Sequence, residues 1–201
     1  MSRRLVLATR NAAKLIELRR IVESVADIEL VGLADVPAYD EVPETGETFA
    51  DNALLKAREA VTHTGLPAVA DDSGLTVDAL NGMPGVLSAR WAGGHGEDAA
   101  NLQLVLDQVA DVPDERRGAA FVCAAALVLP SGVERVVHGQ IDGMLLRAPR
   151  GANGFGYDPI FLPHGESLTT AEMAPAEKDA ISHRGRAFRE LAKHIGELLG
   201  G

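Results

Sequence analysis

Two adjacent carboxylates, Asp71 and Asp72, follow the apolar run Ala68-Val69-Ala70 and are succeeded by Ser73 and Gly74 before apolar character resumes at Leu75-Thr76-Val77. Paired carboxylates at the end of a buried strand are costly unless something positive meets them. The chemistry such a pair offers is to hold a divalent cation, or a catalytic water bound to one. The positions that would surround it are set by the elements on either side.

Upstream, Leu5-Val6-Leu7-Ala8 reads as a strand buried on both faces. Thr9-Arg10-Asn11 turns it into a helix with apolar residues at Leu15, Leu18, Val22 and Val25, and Asn11 can cap its first turn. A strand, polar turn and helix start present backbone N–H groups and a positive dipole end to an anion, with Thr9, Asn11 and Lys14 around the mouth. An ordinary capped helix with a solvated lysine has the same pattern. Residues 27–33 offer a second short strand, and 37–47 are loop-like, with two prolines, a glycine and four acids. Glu47-Thr48-Phe49 then opens a helix whose apolar face carries Phe49, Ala50, Ala53, Leu54, Ala57, Ala60 and Val61. Lys56 borders that stripe, so its ammonium either snorkels to water or points into a cleft.

Downstream, residues 81–85 are a turn cluster, Gly93-Gly94-His95-Gly96 is a flexible joint, and residues 97–109 read as an amphipathic helix. Residues 119–129 and 133–141 are two strands of an antiparallel hairpin joined at Pro130-Ser131-Gly132. The stretch Gly151-Ala152-Asn153-Gly154-Phe155-Gly156-Tyr157-Asp158-Pro159 is neither a Walker loop nor a Rossmann fingerprint, since no Gly-Lys-Ser/Thr follows and Pro159 leads toward a strand. Its aromatics suit stacking on a flat base, or else fill core in a tight turn. Finally, Glu177 to Gly185 precede a helix carrying Ala187, Phe188, Leu191, Ala192, Ile195 and Leu198 on one face. Ser182 as its N-cap puts His183 and Arg184 in the first turn. A cation there opposes the helix dipole, so a negative or oxygen-rich partner is expected.

The 201 residues suffice for one substantial core, or two small lobes sharing one sheet, and the expectation is a single domain over 1–201. A formal charge of −10 argues against a general nucleic-acid binder, though not against a small anionic ligand met by local lysines and arginines. The one cysteine, Cys123, lies inside an apolar run and reads as a buried, inert thiol. The first residues are too briefly apolar for a signal peptide, and no segment is long enough to span a bilayer, so a cytoplasmic protein without a membrane partner is expected.

Taken together and in order, Thr9-Arg10-Asn11-Ala12-Ala13-Lys14, Glu44-Thr45-Gly46 with Phe49, Asn52 and Lys56, Ala70-Asp71-Asp72-Ser73-Gly74-Leu75, Phe155-Gly156-Tyr157-Asp158-Pro159 and Ser182-His183-Arg184-Gly185 are far more specific than any one alone. The chain resembles the inosine/xanthosine triphosphate pyrophosphatases, the Ham1 or RdgB family, nearly end to end. Met83 to Arg90 also fit, while Arg10 stands where many relatives have glycine. The resemblance implies an elongated α/β fold, a mixed sheet flanked by helices, with two lobes and an active-site cleft between them, as a homodimer. It implies Mg²⁺-dependent hydrolysis of ITP, dITP or XTP between the α and β phosphates, giving the nucleoside monophosphate and pyrophosphate. By the same carry-over Asp72 is proton acceptor and metal ligand, Glu44 shares the metal, and Asp71 assists. Thr9, Arg10, Asn11, Ala12, Ala13, Lys14 and Lys56 hold phosphates. Ser73, Phe155, Gly156, Tyr157, Asp158, Lys178, His183 and Arg184 hold the nucleoside.

Physical reasons run in the same direction. A triphosphate repels incoming water unless cations sit on its oxygens. Adjacent carboxylates raise one another's pKa unless a cation intervenes. Donors from His183 and Arg184 would pair with a 6-keto oxygen and be left unsatisfied by the amine of adenine, at about 1–3 kcal/mol for each buried donor. Two other classes remain open: a nucleotide sensor without catalysis, and a phosphatase using an aspartyl-phosphate. The acidic pair disfavours the first. The adjacency of Asp71 and Asp72, which an extended strand would point to opposite sides, disfavours the second.

Overall fold

The computed structural model of the protein describes residues 4–23, 28–40 and 42–199. Val25 of the expected first helix, Asp27 of the expected second strand and Glu41 of the acidic loop lie outside the described residues, as do the side chains of Ala13 and Val22. The elements in order are β1 (Arg4–Leu7), α1 (Ala12–Glu23), β2 (Glu29–Gly32), α2 (Phe49–Thr64), β3 (Ala68–Val77), α3 (Asp98–Gln108), β4 (Gly118–Val128), β5 (Glu134–Leu145), β6 (Phe161–Pro163), α4 (Pro175–Ile181) and α5 (His183–Leu199), with short 3₁₀ turns between some of them. The strands form one sheet in the order β2-β1-β3-β4-β5-β6. β1 is parallel to β2 and to β3, and β6 is antiparallel to β5, so the sheet is mixed as expected. Among the described residues no helix is long and apolar enough to cross a membrane.

The chain divides into two compact units, Met1–Asp72 with Cys123–Gly139 and Arg184–Gly201, and Ser73–Val122 with Gln140–His183. In the first, strand alternation sorts the core by residue parity. Leu5, Leu7, Val69, Cys123, Ala125 and Leu127 pack with Leu18 of α1 and with Phe188, Leu191 and Ile195 of α5. Val6, Ala8, Ala68, Ala70, Ala124, Ala126 and Val128 pack instead with Ala53, Ala57 and Ala60 of α2. Alanine facing alanine lets the backbone of α2 come close to the sheet, so side chains flanking that stripe can reach strand residues. In the second unit Leu75, Val77, Ala119 and Phe121 pack with Leu102, Val105, Leu106 and Val109 of α3, and with Ile160 and Phe161.

Three local expectations change. The two aspartates lie in the middle of a ten-residue strand rather than at its end. Gly74 permits the continuation: a Cβ there would collide with Ser88 in the 3₁₀ turn Gly85–Arg90, whose hydroxyl accepts from Leu75 N at 2.9 Å. β5 runs on to Leu145, because Gly143 opens space for the backbone of Leu162 and the ring of Phe161 in β6. A helix, α4, also precedes Ser182. Its N-terminal proline needs no hydrogen-bond partner, and Glu177 reaches back to accept from Ala174 N at 3.0 Å.

α2 carries two of the residues described below, and its start is fixed by a capping box. Thr48 Oγ1 accepts from Asp51 N at 3.1 Å while Asp51 Oδ2 accepts from Thr48 N at 3.0 Å. It ends at Gly65, whose left-handed φ of 66° suits a residue without a Cβ. Thr48→Ala should lower the unfolding free energy by about 1 kcal/mol, read from the urea midpoint at constant m-value. No change would mean that the cap does not hold the helix.

Candidate active site

The parity of β3 separates the two aspartates. Asp72 shares its face with Ala68 and Ala70 and meets α2; Asp71 shares its face with Val69 and meets α1 and α5. Both are almost wholly buried.

On the α2 side, Asn52 Nδ2 donates to Asp72 Oδ2 at 2.9 Å and Asn52 Oδ1 accepts from Gly46 N at 2.8 Å. One buried amide therefore ties Asp72 to the segment that carries Glu44. Lys56, one turn further along the same helix face, places Nζ 2.6 Å from Glu44 Oε1 and 3.6 Å from Asp72 Oδ1. Lys56 thus turns toward the carboxylates and does not snorkel. Burial would lower its pKa, but Asp72, Asp71 and Glu44 outweigh that and raise it. For Asp72, burial raises the pKa, Glu44 adds to the rise, and Lys56, Lys14 and the Asn52 hydrogen bond only partly oppose it.

On the other face, Lys14 Nζ lies 3.1 Å and Arg184 Nε 3.3 Å from Asp71 Oδ2. Arg184 also forms a buried ion pair with Glu17 of α1. Burial pushes the Asp71 carboxyl up, yet Lys14, then Arg184 and Lys56, hold it far below the usual carboxylate range. Glu17 and Asp71 are the negative partners that a first-turn arginine on α5 requires. Cys123 lies within the same core cluster, and burial raises its thiol far above the ordinary range, as an inert role demands. Lys14 belongs to the turn predicted to face an anion: Asn11 Oδ1 accepts from Lys14 N at 3.1 Å, capping α1 as expected, and Thr9 Oγ1 accepts from Asn11 N at 3.2 Å. Ala12 and Ala13 open α1, and Arg10 Nη2 donates to Tyr39 O at 2.7 Å.

The second unit gathers another set. Asp158 Oδ2 accepts from Lys178 Nζ at 2.7 Å and from Phe155 N at 2.9 Å, and Asp158 Oδ1 accepts from Thr170 Oγ1 at 2.8 Å. Lys178 Nζ lies 5.1 Å from the centroid of the half-buried Phe155 ring, within cation–π range. The two aromatics expected to behave alike divide: Tyr157 is core, its hydroxyl donating to Ser88 O at 2.8 Å. Its neighbour Gly156 adopts a left-handed φ of 61°. His183 is buried with its ring stacked on Phe121, centroids 4.9 Å apart. Ser73 is half-buried on β3.

Sequence reasoning gave no role to Glu17, Asn52 or Thr170. Asn52 had a signal in its four-residue spacing from Lys56. Glu17 and Thr170 had none, because each is defined by a partner distant in sequence.

A model of the Ham1 family matches residues 5–194. A dITP/XTP pyrophosphatase of Mycobacteroides abscessus is 62% identical over 198 residues, covering 98% of this chain and 96% of that protein. One from Streptomyces coelicolor is 61% identical, covering 98% and 99%. Among solved structures, a HAM1 protein from Coxiella burnetii superposes with a TM-score of 0.86 at 43% identity, over 97% of this chain and 99% of that one. The crystal structure of a nucleoside-triphosphatase, dITP/XTP pyrophosphatase, from Mycobacterium abscessus superposes with a TM-score of 0.77 at 63% identity, over 94% and 98%. An α/β protein with a mixed six-stranded sheet and paired strand carboxylates is the class so defined. The chain belongs to the Ham1 family.

Removing one member of a buried ion-pair network leaves the others uncompensated. Asp71→Asn should therefore cost about 3–5 kcal/mol of stability near neutral pH. Because the folded Asp71 pKa is depressed, its contribution is complete above the unfolded carboxylate range and is lost as pH falls through the folded value. Urea denaturation should show the full wild-type advantage above about pH 5, narrowing in stronger acid. An advantage that grew on acidification would contradict the assignment.

Proposed function

We propose that this protein hydrolyses purine nucleoside triphosphates carrying a non-standard base (ITP, dITP and XTP) to the nucleoside monophosphate and pyrophosphate, removing them from the nucleotide pool. Its near-full-length identity to proteins named dITP/XTP pyrophosphatases supports the substrate class. One structural observation carries the chemistry: Asp72 and Glu44, from separate segments, meet at the ammonium of Lys56.

The same pair suits Mg²⁺, which takes one or two carboxylates and keeps waters or phosphate oxygens for the rest of its shell. Two carboxylate oxygens, one from buried Asp72 and one from half-buried Glu44, drawn to one cation form a donor set of that kind. Among the described residues no three His, Cys, Asp or Glu side chains gather as a closed cage. Glu44 and Asp72 would hold the ion, which when bound supplies positive charge to the phosphate oxygens. Asp72 accepts the proton of the water directed at the α-phosphorus. Asn52 orients that carboxylate and ties it to the Glu44 segment through Gly46. Lys56 and Lys14 neutralise phosphate charge, and Asp71 assists by holding Lys14 in place. The turn from Thr9 through Arg10, Asn11, Ala12 and Ala13 takes phosphate oxygens at the start of α1.

The nucleoside falls to Ser73, Phe155, Gly156, Tyr157, Asp158, Lys178, His183 and Arg184. Phe155 supplies a face for the base. Asp158 acts by holding Phe155 and Lys178, and Tyr157 by anchoring the loop to Ser88. His183 and Arg184 donate to the 6-keto oxygen. The family resemblance also supports a Mg²⁺-dependent homodimer working in the cytoplasm, with neither nucleic acid nor membrane as partner.

A product assay with ITP, dITP, XTP, GTP and ATP and added Mg²⁺ tests this. Pyrophosphate should be the first product, with ATP refused. Orthophosphate would remove the cut between α and β phosphates, and tight ITP binding with no product would favour a sensor. Asp72→Asn should lower kcat by about 10²- to 10⁴-fold while the circular dichroism spectrum is retained. Near-normal turnover in that variant would mean that the base lies elsewhere.

A further inference from the structure

We infer that Asp98, the first residue of α3 and so far without a role, is a positioning residue for the nucleoside, because its carboxylate fixes the backbone on one side of Phe155. The inference rests on the proposed role of Phe155 as a face for the base and adds a residue to it.

Two consecutive N–H groups in the loop are each taken by a carboxylate, the first by Asp158 of the same stretch and the second by Asp98 at the start of α3. Phe155 N donates to Asp158 Oδ2 at 2.9 Å, and Gly156 N donates to Asp98 Oδ2 at 2.8 Å. The first bond orients the peptide before Phe155 and the second orients the peptide after it. With both planes held, the two backbone dihedrals of Phe155 are set, and so is the direction of its Cα–Cβ bond. That direction carries the ring to its place beside Lys178 Nζ. The second bond matters because Gly156, at a φ of 61°, could adopt many other conformations without it. The hydroxyl of Tyr157 on Ser88 O anchors the following residue, so Asp98 closes the remaining freedom between two anchored positions. As a carboxylate in the first turn of α3, it is also favoured there by the helix dipole.

Asp98→Ala and Asp98→Asn in the full-length protein separate positioning from mere support of the fold. For Asp98→Ala, the KM for ITP should rise about five- to tenfold, as expected for one charge-assisted hydrogen bond at an exposed position, with kcat within about twofold of wild type. Asp98→Asn keeps an acceptor oxygen and should restore most of the KM. Inhibition by inorganic tripolyphosphate, which has no base, should be unchanged in both. Hydrogen exchange at the Gly156 amide should be slowed in the wild type and faster in Asp98→Ala. An unchanged KM, an unchanged Gly156 exchange rate, or an equal weakening of tripolyphosphate and ITP would each overturn the inference. Should the wild type hydrolyse no nucleoside triphosphate, the proposed activity falls, and Gly156 exchange still decides whether Asp98 holds the loop.

Discussion

Neighbouring residues on an extended strand point to opposite faces of a sheet, and here that rule falls on two buried carboxylates. Asp71 is delivered to α1 and α5, where Lys14 and Arg184 wait; Asp72 is delivered to α2, where Asn52 and Lys56 wait. Had they shared a face, each would have raised the other's pKa. Separated, they divide the labour. Asp71 becomes a fixed anion around which two cations are ordered, and Asp72 keeps an elevated proton affinity beside a second carboxylate.

The surrounding structure follows from making that separation affordable. Burying a carboxylate opposes its ionisation, and each aspartate is compensated in a different way. Around Asp71 the compensation is a chain of charges running from Lys14 through Asp71 and Arg184 to Glu17. Around Asp72 it includes the Asn52 amide and the Lys56 ammonium, both reached because α2 lies close on a face of alanines. Larger core residues in α2 would hold Asn52 and Lys56 farther from the sheet. In the second unit Asp158 plays a comparable organising part, drawing Lys178, Thr170 and the backbone of Phe155 to one carboxylate.

Much of this was legible in the sequence, and what escaped has physical causes. The buried strands, the Asn11 cap, the alanine-faced helix and the hairpin all follow from local patterns. The expectation that a first-turn arginine needs a negative partner was met by Glu17 and Asp71, but neither could be named beforehand, because Arg184 lies 167 residues from Glu17 and 113 from Asp71. The face taken by each aspartate was hidden as well. The run Phe121-Val122-Cys123-Ala124-Ala125-Ala126-Leu127 is apolar at every position, so strands covered on both sides show no alternation to read. Length misled too: Gly74 and Gly143 look like interruptions, yet each lets a strand continue past a close neighbour. Phe155 and Tyr157 could not be told apart, because one hydrogen bond to Ser88 makes Tyr157 core.

The claim that adjacent aspartates hold opposite protonation tendencies can be measured at each carboxyl carbon. In metal-free protein labelled with ¹³C at aspartate, nuclear magnetic resonance should follow both groups across the acid range over which the fold persists. The account predicts that Asp71 stays ionised throughout, while Asp72 takes up its proton above the ordinary aspartate value of about 3.9. Titration of the two at the same pH, or of Asp71 before Asp72 as acid is added, would contradict it.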